Sequence, residues 1–275
     1  MANSVSRQKT QEIAAEVFSL LGTGNQVPPF SSRYGGFDLA EAYDVVEMVR
    51  DMRKERGETP VGRKIGFTNH SVWGGYGITG PIWNYLYDTT VNDLASIDAL
   101  FALGNLPEPR IEPEIVLHLA SSPNTEMDES ELVACVDWVA HGFEIVYSIF
   151  PGWSFTAADA AAACGVHGAL LLGDRHVIEE NPALWCKALS NFRVNLAGSN
   201  GAVANGHAEN VLGSPVKSLQ FLVHELARIS SNVSLKPGEL ITTGTLTEAL
   251  PAVSGDSWTS KFEGIEIQGA QLRFR

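Results

Sequence analysis

Apolar residues recur at helical spacing in the first part of the chain. One such stretch covers residues 5–22, and a second follows Asp38. Asp38 and Glu41 form a D-x-x-E pattern that resembles a capping box, which predicts the start of the second helix. Gly, Pro and charged residues end it before residue 61. We therefore predict a helical N-terminal segment over residues 1–60.

Beyond residue 60 the pattern changes to short apolar runs separated by Gly and Pro turns, which is typical of β-strands. Three longer stretches keep helical spacing, at residues 129–141, 156–164 and 214–230. The chain is thus predicted to be α+β, with the helical segment followed by a β-rich, metal-binding catalytic domain over residues 61–275.

Composition narrows the classes of function. The chain has 275 residues and a formal charge of −13 without a basic stripe, which argues against a nucleic-acid partner. No apolar run approaches the roughly 20 residues of a membrane span, and the N-terminus lacks the apolar core of a secretory signal. We expect no membrane partner and a cytoplasmic location. Cys135, Cys164 and Cys186 are widely spaced and are expected to be reduced thiols.

A pair of glutamates marks the segment RIEPEIVL, residues 110–117. Side chains at i and i+2 of a strand share a face, so Glu112 and Glu114 are expected to project together. Two adjacent carboxylates repel each other, and a hard dication with oxygen ligands would remove that repulsion. Pro113 predicts a strand edge or a bulge. Alone, the pair also fits a solvated strand face.

Two further charged residues lie in apolar surroundings. Glu144, within a run of apolar residues, needs an arginine, a proton or a metal ion as partner if it is buried. Lys64, in the segment VGRKIGF, could bind a substrate carboxylate or move a proton, although an exposed strand lysine is an equally simple interpretation.

These motifs together resemble the fumarylacetoacetate hydrolase superfamily, and most closely its 2-oxopent-4-enoate hydratase and 4-oxalocrotonate decarboxylase branch. The resemblance runs from about residue 5 to the C-terminus. The motifs that carry it occur in the order KIGFT (64–68), RIEPEI (110–115), FEIV (143–146) with Trp153, TGTLT (243–247), GD (255–256) and FEG (262–264).

The resemblance implies a mixed β-roll fold and Mg²⁺ or Mn²⁺ held by Glu112, Glu114 and Glu144. It implies a small 2-oxo acid as substrate, with Lys64 beside it as an acid–base residue whose pKa the dication depresses. It also implies a homo-oligomer, in some cases paired with a related decarboxylase or hydratase.

Other residues are candidates for binding the substrate. Thr243, Gly244 and Thr245 are expected to form a turn that offers N–H and hydroxyl groups to its carboxylate. Arg63, next to Lys64, is a second candidate for the same anion.

Two positions depart from the hydratase pattern. Ile82 stands where an acidic residue is usual, and Val166 lies in a segment that usually carries polar residues. His167 follows directly and is a candidate replacement acid–base residue, with a structural role as the alternative. His141, placed on the predicted helix 129–141, is expected to be structural.

The leading prediction is a lyase that hydrates a 2-hydroxy-2,4-dienoate. A 2-oxo acid decarboxylase of the 4-oxalocrotonate type is the nearest alternative. A hydrolase that cleaves a C–C bond of an acylpyruvate would need a His–Glu pair; His167 could supply the histidine, but no glutamate lies near it in sequence. A non-catalytic subunit is a further alternative, against which the retention of Lys64 and the three glutamates argues.

Overall fold

The computed structural model describes residues 2–70, 73–76, 80–178, 181–229 and 234–275. Its α-helices are α1 (Ala2–Leu20), α2 (Phe30–Arg33), α3 (Leu39–Glu55), α4 (Trp73–Tyr76), α5 (Glu129–Ala134), α6 (Ala157–Ala162), α7 (Pro182–Leu189) and α8 (Pro215–Ile229). Its strands are β1 (Pro60–Gly66), β2 (Ile82–Tyr87), β3 (Val91–Asp93), β4 (Leu100–Phe101), β5 (Arg110–Leu119), β6 (Val136–Val146), β7 (His167–Val177), β8 (Arg193–Gly198), β9 (Val203–His207), β10 (Leu240–Thr242), β11 (Leu250–Pro251), β12 (Ser257–Glu263) and β13 (Gln271–Phe274).

The first three helices occupy the segment predicted to be helical. Asp38 caps α3 by accepting a hydrogen bond from the Glu41 N–H at 3.0 Å. The buried faces of α1 and α3 share one core with α6, in which Ile13, Val45 and Ala160 are fully buried. Helices from both sides of residue 60 thus pack into one core, and the division of the chain into two domains there stays a prediction.

Eight strands form the larger sheet, in the order β2-β1-β10-β5-β6-β7-β3, with β11 paired to β5 beside this path. The pairs β1–β10 and β7–β3 are parallel, and the others are antiparallel. A five-stranded sheet has the order β4-β13-β12-β8-β9. Trp258 of the smaller sheet packs in one cluster with Phe143 and Leu171 of the larger sheet, so the two sheets share an apolar layer.

The register of the larger sheet decides which side chains share a face. Lys64 is paired with Thr242, and Thr242 with Val116. Because alternate residues of a strand point the same way, Glu114 lies on the face of Lys64 as well. The opposite face, which carries Arg63, packs against the helices through a large apolar cluster. A shift of one residue in β1 would exchange the two basic side chains.

The α+β class and the roll of mixed strands are confirmed, but several element boundaries differ from the predictions. The helix predicted over 129–141 ends at Ala134, and β6 follows it. β6 lies between β5 and β7 and is buried on both faces, so its continuous apolar run carries no strand-like alternation. β10 ends at Thr242, directly before the residues 243–245 that were expected to form a turn. Within the described residues, no helix is both long enough and apolar enough to cross a membrane.

Candidate metal and substrate site

Three glutamates converge on one point of the larger sheet. Glu112 and Glu114 project from the same face of β5, and Glu144 lies directly opposite Glu112 on β6. One carboxylate oxygen from each lies within 4.8 Å of the others. Glu114 and Glu144 are buried, whereas Glu112 is partly open to a cavity. The structure therefore brings together the three side chains that the resemblance implies as metal ligands.

Pro113, between the two glutamates of β5, lies in a regular part of the β5–β6 pairing, opposite Phe143. Its carbonyl accepts a hydrogen bond from the Leu246 N–H at 2.9 Å, on the side away from β6. The backbone N and C=O of one strand residue face the same side of the strand. Pro113 has no N–H, and its nitrogen therefore faces the gap between β10 and β11, where no strand needs a donor. Of the two alternatives predicted at Pro113, a strand edge or a bulge, the structure shows a local edge, because β5 is unpaired there on one side only and its pairing with β6 has no bulge at this position.

Burial and mutual repulsion perturb the three carboxyl groups. Burial and the Glu144 charge raise the pKa of Glu112 to about 7. The same two causes raise the pKa of Glu114 well above its usual value. Burial opposes ionisation of Glu144 too, but the Lys64 ammonium and His167 outweigh it and lower the pKa of Glu144 to about 2.

This arrangement fits a hard dication. Carboxylate oxygens are the ligands that Mg²⁺ and Mn²⁺ prefer, and the pairwise repulsion that raises two of the three pKa values is what a bound dication would relieve. Two members of the set are held on one rigid strand and the third on its hydrogen-bonded neighbour, so their geometry needs no loop movement.

Lys64 is buried beside this cluster. Its Nζ donates to Glu144 Oε2 at 2.9 Å and lies 2.8 Å from Glu144 Oε1 in an ion pair. Burial disfavours the ammonium, but Glu144 and then the other two carboxylates outweigh it and raise the pKa of Lys64. The depressed pKa of Lys64 that was expected from the sequence would require the positive charge of a dication nearby. Gly165, at φ +62°, makes room for the lysine, because a Cβ there would lie 3.2 Å from the Lys64 Cδ.

The turn after β10 contacts the cluster through its backbone. The Gly244 N–H donates to Glu114 Oε2 at 2.9 Å, and its φ of +98° is one that glycine adopts readily. A Cβ at this position would lie 1.9 Å from the Thr68 hydroxyl oxygen. Thr243 is buried and donates through its hydroxyl to the Ile115 carbonyl at 3.0 Å. Gly244 thus holds a candidate metal ligand, and Thr243 joins the turn to β5.

A cavity of about 190 Å³ opens over the cluster. Thr245 and Thr247 contribute polar groups to it, so Thr245 is the member of the predicted substrate-binding turn that lines the cavity. Apolar parts of the wall come from Phe67, Trp153, Val166 and Ala249. The remaining lining residues are Lys64, Gly66, Thr68, Asn69, Arg110, Glu112, Glu114, Gly165 and Glu248. The volume is smaller than the roughly 300–1,000 Å³ of pockets for drug-sized ligands, which favours a small acid.

Arg63, predicted to bind the substrate anion, points away from this cavity. Its guanidinium lies 3.9 Å from the centre of the Tyr85 ring and donates to Glu239 at 3.1 Å. Both contacts are on the opposite face of the sheet, because Arg63 and Lys64 are neighbours on one strand. The structure does not bring Arg63 to the site.

Arg110 lines the cavity instead, with its guanidinium 4.2 Å from the centre of the Trp153 ring. Sequence reasoning overlooked this residue, although the alternation that places Glu112 and Glu114 together also places Arg110 with them.

His167 lies behind Glu144 and is not among the described residues that line this cavity. Its Nδ1 is 2.7 Å from Glu144 Oε1, and its Nε2 is 3.0 Å from the Thr90 hydroxyl. Burial lowers the pKa of His167, so a neutral ring that donates from Nδ1 and accepts at Nε2 fits both contacts. The glutamate partner that was not found near His167 in sequence is therefore Glu144, 23 positions away. A separate cavity of about 430 Å³, lined in part by Arg53 and Glu58, reaches His167 from the other side.

Two other predicted features are located by the structure. His141 lies on β6 rather than a helix, and it is buried between the Glu114 carbonyl at 3.2 Å and the Ser260 hydroxyl at 2.9 Å. Burial lowers its pKa to about 4, consistent with the expected structural role.

Of the two departures from the hydratase pattern, Ile82 is buried in the core, and Val166 forms part of the cavity wall.

Comparison with known proteins relates the chain to one group of enzymes. No family model matches the sequence. A 2-hydroxyhexa-2,4-dienoate hydratase from Comamonas testosteroni is 26% identical over 250 residues, which covers 90% of this chain and 92% of the relative.

Solved structures agree with the predicted fold. A 4-oxalocrotonate decarboxylase from Pseudomonas putida G7, complexed with magnesium and adipate, superposes with a TM-score of 0.86 at 22% identity and 98% coverage of both chains. A yeast fumarylacetoacetate hydrolase family protein gives a TM-score of 0.56 at 16% identity, with 78% of this chain and 91% of that chain covered.

Proposed function

Because the chain is related along nearly its whole length to the hydratases and decarboxylases of the fumarylacetoacetate hydrolase superfamily, we propose that it is a magnesium-dependent lyase of a small 2-oxo acid. The reaction favoured is the hydration of a 2-hydroxy-2,4-dienoate. The observation that carries the proposal is the convergence of Glu112, Glu114 and Glu144 beside Lys64, under a cavity sized for a small acid.

Glu112, Glu114 and Glu144 would hold the ion. Mg²⁺ or Mn²⁺ there would supply a fixed positive charge that favours electron density on the keto oxygen of the substrate. Thr245 lines the cavity, and its N–H is the group that would orient the substrate carboxylate, because its hydroxyl already donates to the Thr247 carbonyl at 3.0 Å. The turn at Gly244 keeps Glu114 in place.

Lys64 is the residue that we assign to proton transfer. Its Nζ lies in the cavity wall and is hydrogen-bonded to Glu144, so an ammonium there can give a proton to the carbon chain and recover it afterwards. Hydration takes place in two balanced parts: the 2-hydroxyl proton moves to C5 as the 2-oxo group forms, and one water molecule then adds with its OH on C4 and its other proton on C3. His167 does not reach this space, and its two hydrogen bonds favour a role in positioning Glu144.

Decarboxylation of a 4-oxalocrotonate-type acid is the second candidate, and one observation favours it. Val166 gives the cavity an apolar wall where hydratases usually carry polar groups, so the wall lacks a side chain there that could activate water. Cleavage of an acylpyruvate is less favoured, because His167, the histidine that this reaction would need, is not among the described residues that line the cavity.

We further propose that the enzyme works in the cytoplasm as a homo-oligomer, in keeping with the resemblance. A pairing with a related decarboxylase or hydratase is the alternative assembly. Light scattering of the purified protein, alone and after mixing with such an enzyme, measures both; a monomer under all conditions would contradict the proposed assembly.

A substrate panel tests the reaction. With Mg²⁺ present, we would follow ultraviolet absorbance and CO₂ for 2-hydroxypenta-2,4-dienoate, 2-oxohex-3-enedioate and an acylpyruvate. Loss of the dienoate without CO₂ is the expected result. CO₂ release would assign the decarboxylase, and two acid products would assign the hydrolase.

Lys64→Met should abolish turnover while Mg²⁺ still binds, whereas Lys261→Met, on an exposed part of β12, should be fully active. Turnover that is unaffected by chelation of the metal would refute the proposal.

A further inference from the structure

The second cavity, of about 430 Å³, lies behind His167, between the chain that follows α1, the last turn of α3 and the start of β7. Its volume falls within the roughly 300–1,000 Å³ of small-molecule pockets. The described residues that line it and those that line the cavity over the three glutamates have no member in common. The proposed reaction therefore leaves this second cavity without a role.

The polar wall of the second cavity carries more positive than negative charge. Arg53 and Arg56 both donate to Glu58, from Nε at 3.0 and 2.6 Å. Burial opposes ionisation of Glu58, but the hydrogen bonds that it accepts, the one from Arg53 first, outweigh burial and lower the pKa of Glu58. Among the described residues that line the cavity there is no second carboxylate. Two guanidinium groups thus share one carboxylate, which leaves one positive charge in excess.

Tyr147 adds a hydroxyl that the protein leaves unpaired. It lines the cavity and is only 7% exposed, yet its hydroxyl forms no hydrogen bond with any described residue. Burial raises the pKa of Tyr147, so the hydroxyl keeps its proton at neutral pH and can donate. A buried donor without a partner costs free energy, which an acceptor bound in the cavity would recover. Leu21 and Leu106, both half-buried, give the same cavity an apolar wall.

We propose that the second cavity is a separate binding site for a small monocarboxylate with a short apolar chain. The carboxylate accepts a hydrogen bond from the Tyr147 hydroxyl and balances the excess charge of Arg53 and Arg56, while the chain covers Leu21 and Leu106. Inorganic phosphate would leave that apolar surface in contact with water, so a carboxylate with an apolar chain fits better. The site is independent of the proposed function, since none of the three candidate metal ligands is among the described residues that line it.

Binding of butanoate and of its neutral amide, butanamide, tests the proposal. EDTA keeps the cavity over the three glutamates free of metal, so that its carboxylates repel an anion. In an NMR titration of the full chain in EDTA at constant ionic strength, butanoate should bind about 10-fold more tightly than butanamide or better. Tyr147→Phe should weaken butanoate binding about 10- to 100-fold, as expected for the loss of a hydrogen bond to a charged group. It should leave the melting temperature of the ligand-free protein unchanged, because the hydroxyl has no partner to lose. Arg56→Met, which removes the excess charge, should weaken butanoate binding about 10-fold.

Two matched controls remove a hydroxyl and a guanidinium outside the cavity. Tyr34→Phe, directly after α2, and Arg193→Met, on an exposed part of β8, should bind butanoate like the unaltered protein. Equal affinities for butanoate and butanamide would overturn the proposal and assign the cavity to water. Unchanged butanoate binding by Tyr147→Phe would also overturn it, as would binding that requires Mg²⁺, which belongs to the cavity over the glutamates. Phosphate bound as tightly as butanoate, and lost in Tyr147→Phe, would overturn the carboxylate assignment in favour of inorganic oxoanions.

Discussion

Glu114→Gln should stabilise the metal-free protein and destabilise the metal-loaded one, an inversion that few other sites would give. Glu114 is buried, with carboxylate oxygens of Glu112 and Glu144 at most 4.8 Å away. At that distance and an effective dielectric constant of about 20, each like-charge pair costs about 3 kcal/mol. Glu114 has two such repulsions and one attraction, to Lys64, so neutralising it removes a net cost of about one pair.

Partial protonation already relieves some of this cost, because the pKa of Glu114 is raised well above its usual value. We therefore expect Glu114→Gln to gain about 1–3 kcal/mol in EDTA at pH 8, or several degrees in the melting temperature. With one of three charged ligands lost, its Mg²⁺ affinity should fall by about 100-fold or more. The Mg²⁺-induced rise in melting temperature should then vanish at millimolar Mg²⁺.

Thermal melts with and without Mg²⁺, together with calorimetry of Mg²⁺ binding, provide the assay. Gln keeps the volume of the side chain and an oxygen for the Gly244 N–H, so folding should be preserved. Glu263→Gln, an exposed glutamate of β12, controls for a general effect of removing charge and should change neither quantity. The reasoning is refuted if Glu114→Gln binds Mg²⁺ as tightly as the unaltered protein, or if it is less stable in EDTA.

Two further predictions concern pH and the residues behind the cluster. Since the pKa of Glu112 is raised to about 7, its proton must leave before a dication binds; Mg²⁺ affinity should fall about tenfold between pH 8 and pH 6, and a flat profile would contradict this. The same raised pKa means that metal-free stability is greatest at lower pH and declines as pH rises towards 7. Thr90→Val removes the hydrogen-bond partner of His167 Nε2, and because His167 positions Glu144, it should weaken Mg²⁺ binding about 10- to 100-fold. Thr90→Ser keeps the hydroxyl and should bind Mg²⁺ like the unaltered protein. Unchanged Mg²⁺ affinity of Thr90→Val would argue that His167 does not need the Thr90 hydroxyl to position Glu144.

The predicted chemistry depended on local rules, namely the alternation of side chains along a strand and the cost of burying an unpaired charge. Both rules hold in the tertiary structure. Alternation on β5 fixes the common face of Glu112 and Glu114, and the same rule, applied one step further, would have found Arg110. The need of Glu144 for a partner followed from its apolar neighbours, although the sequence left an arginine, a proton and a metal open.

Register and burial on two faces were the features that sequence reasoning could not supply. β6 was assigned to a helix because a strand buried on both sides has the same continuous apolar run as a buried helix. Arg63 and Lys64 are adjacent and chemically similar, and only the pairing of β1 with β10 decides which one faces the cavity. The contact between His167 and Glu144 likewise depends on strand pairing, because it requires that β7 lies next to β6.

The sequence by itself determined which chemical groups this protein has and which of them share a strand face, because side-chain direction within a strand repeats every two residues. Only the tertiary structure decided which strands are neighbours, and hence that Glu144 meets Glu112, that Lys64 lies beside both, and that Arg63 does not. Contacts between distant segments depend on how the whole sheet buries its apolar faces, and no short stretch of sequence contains that information.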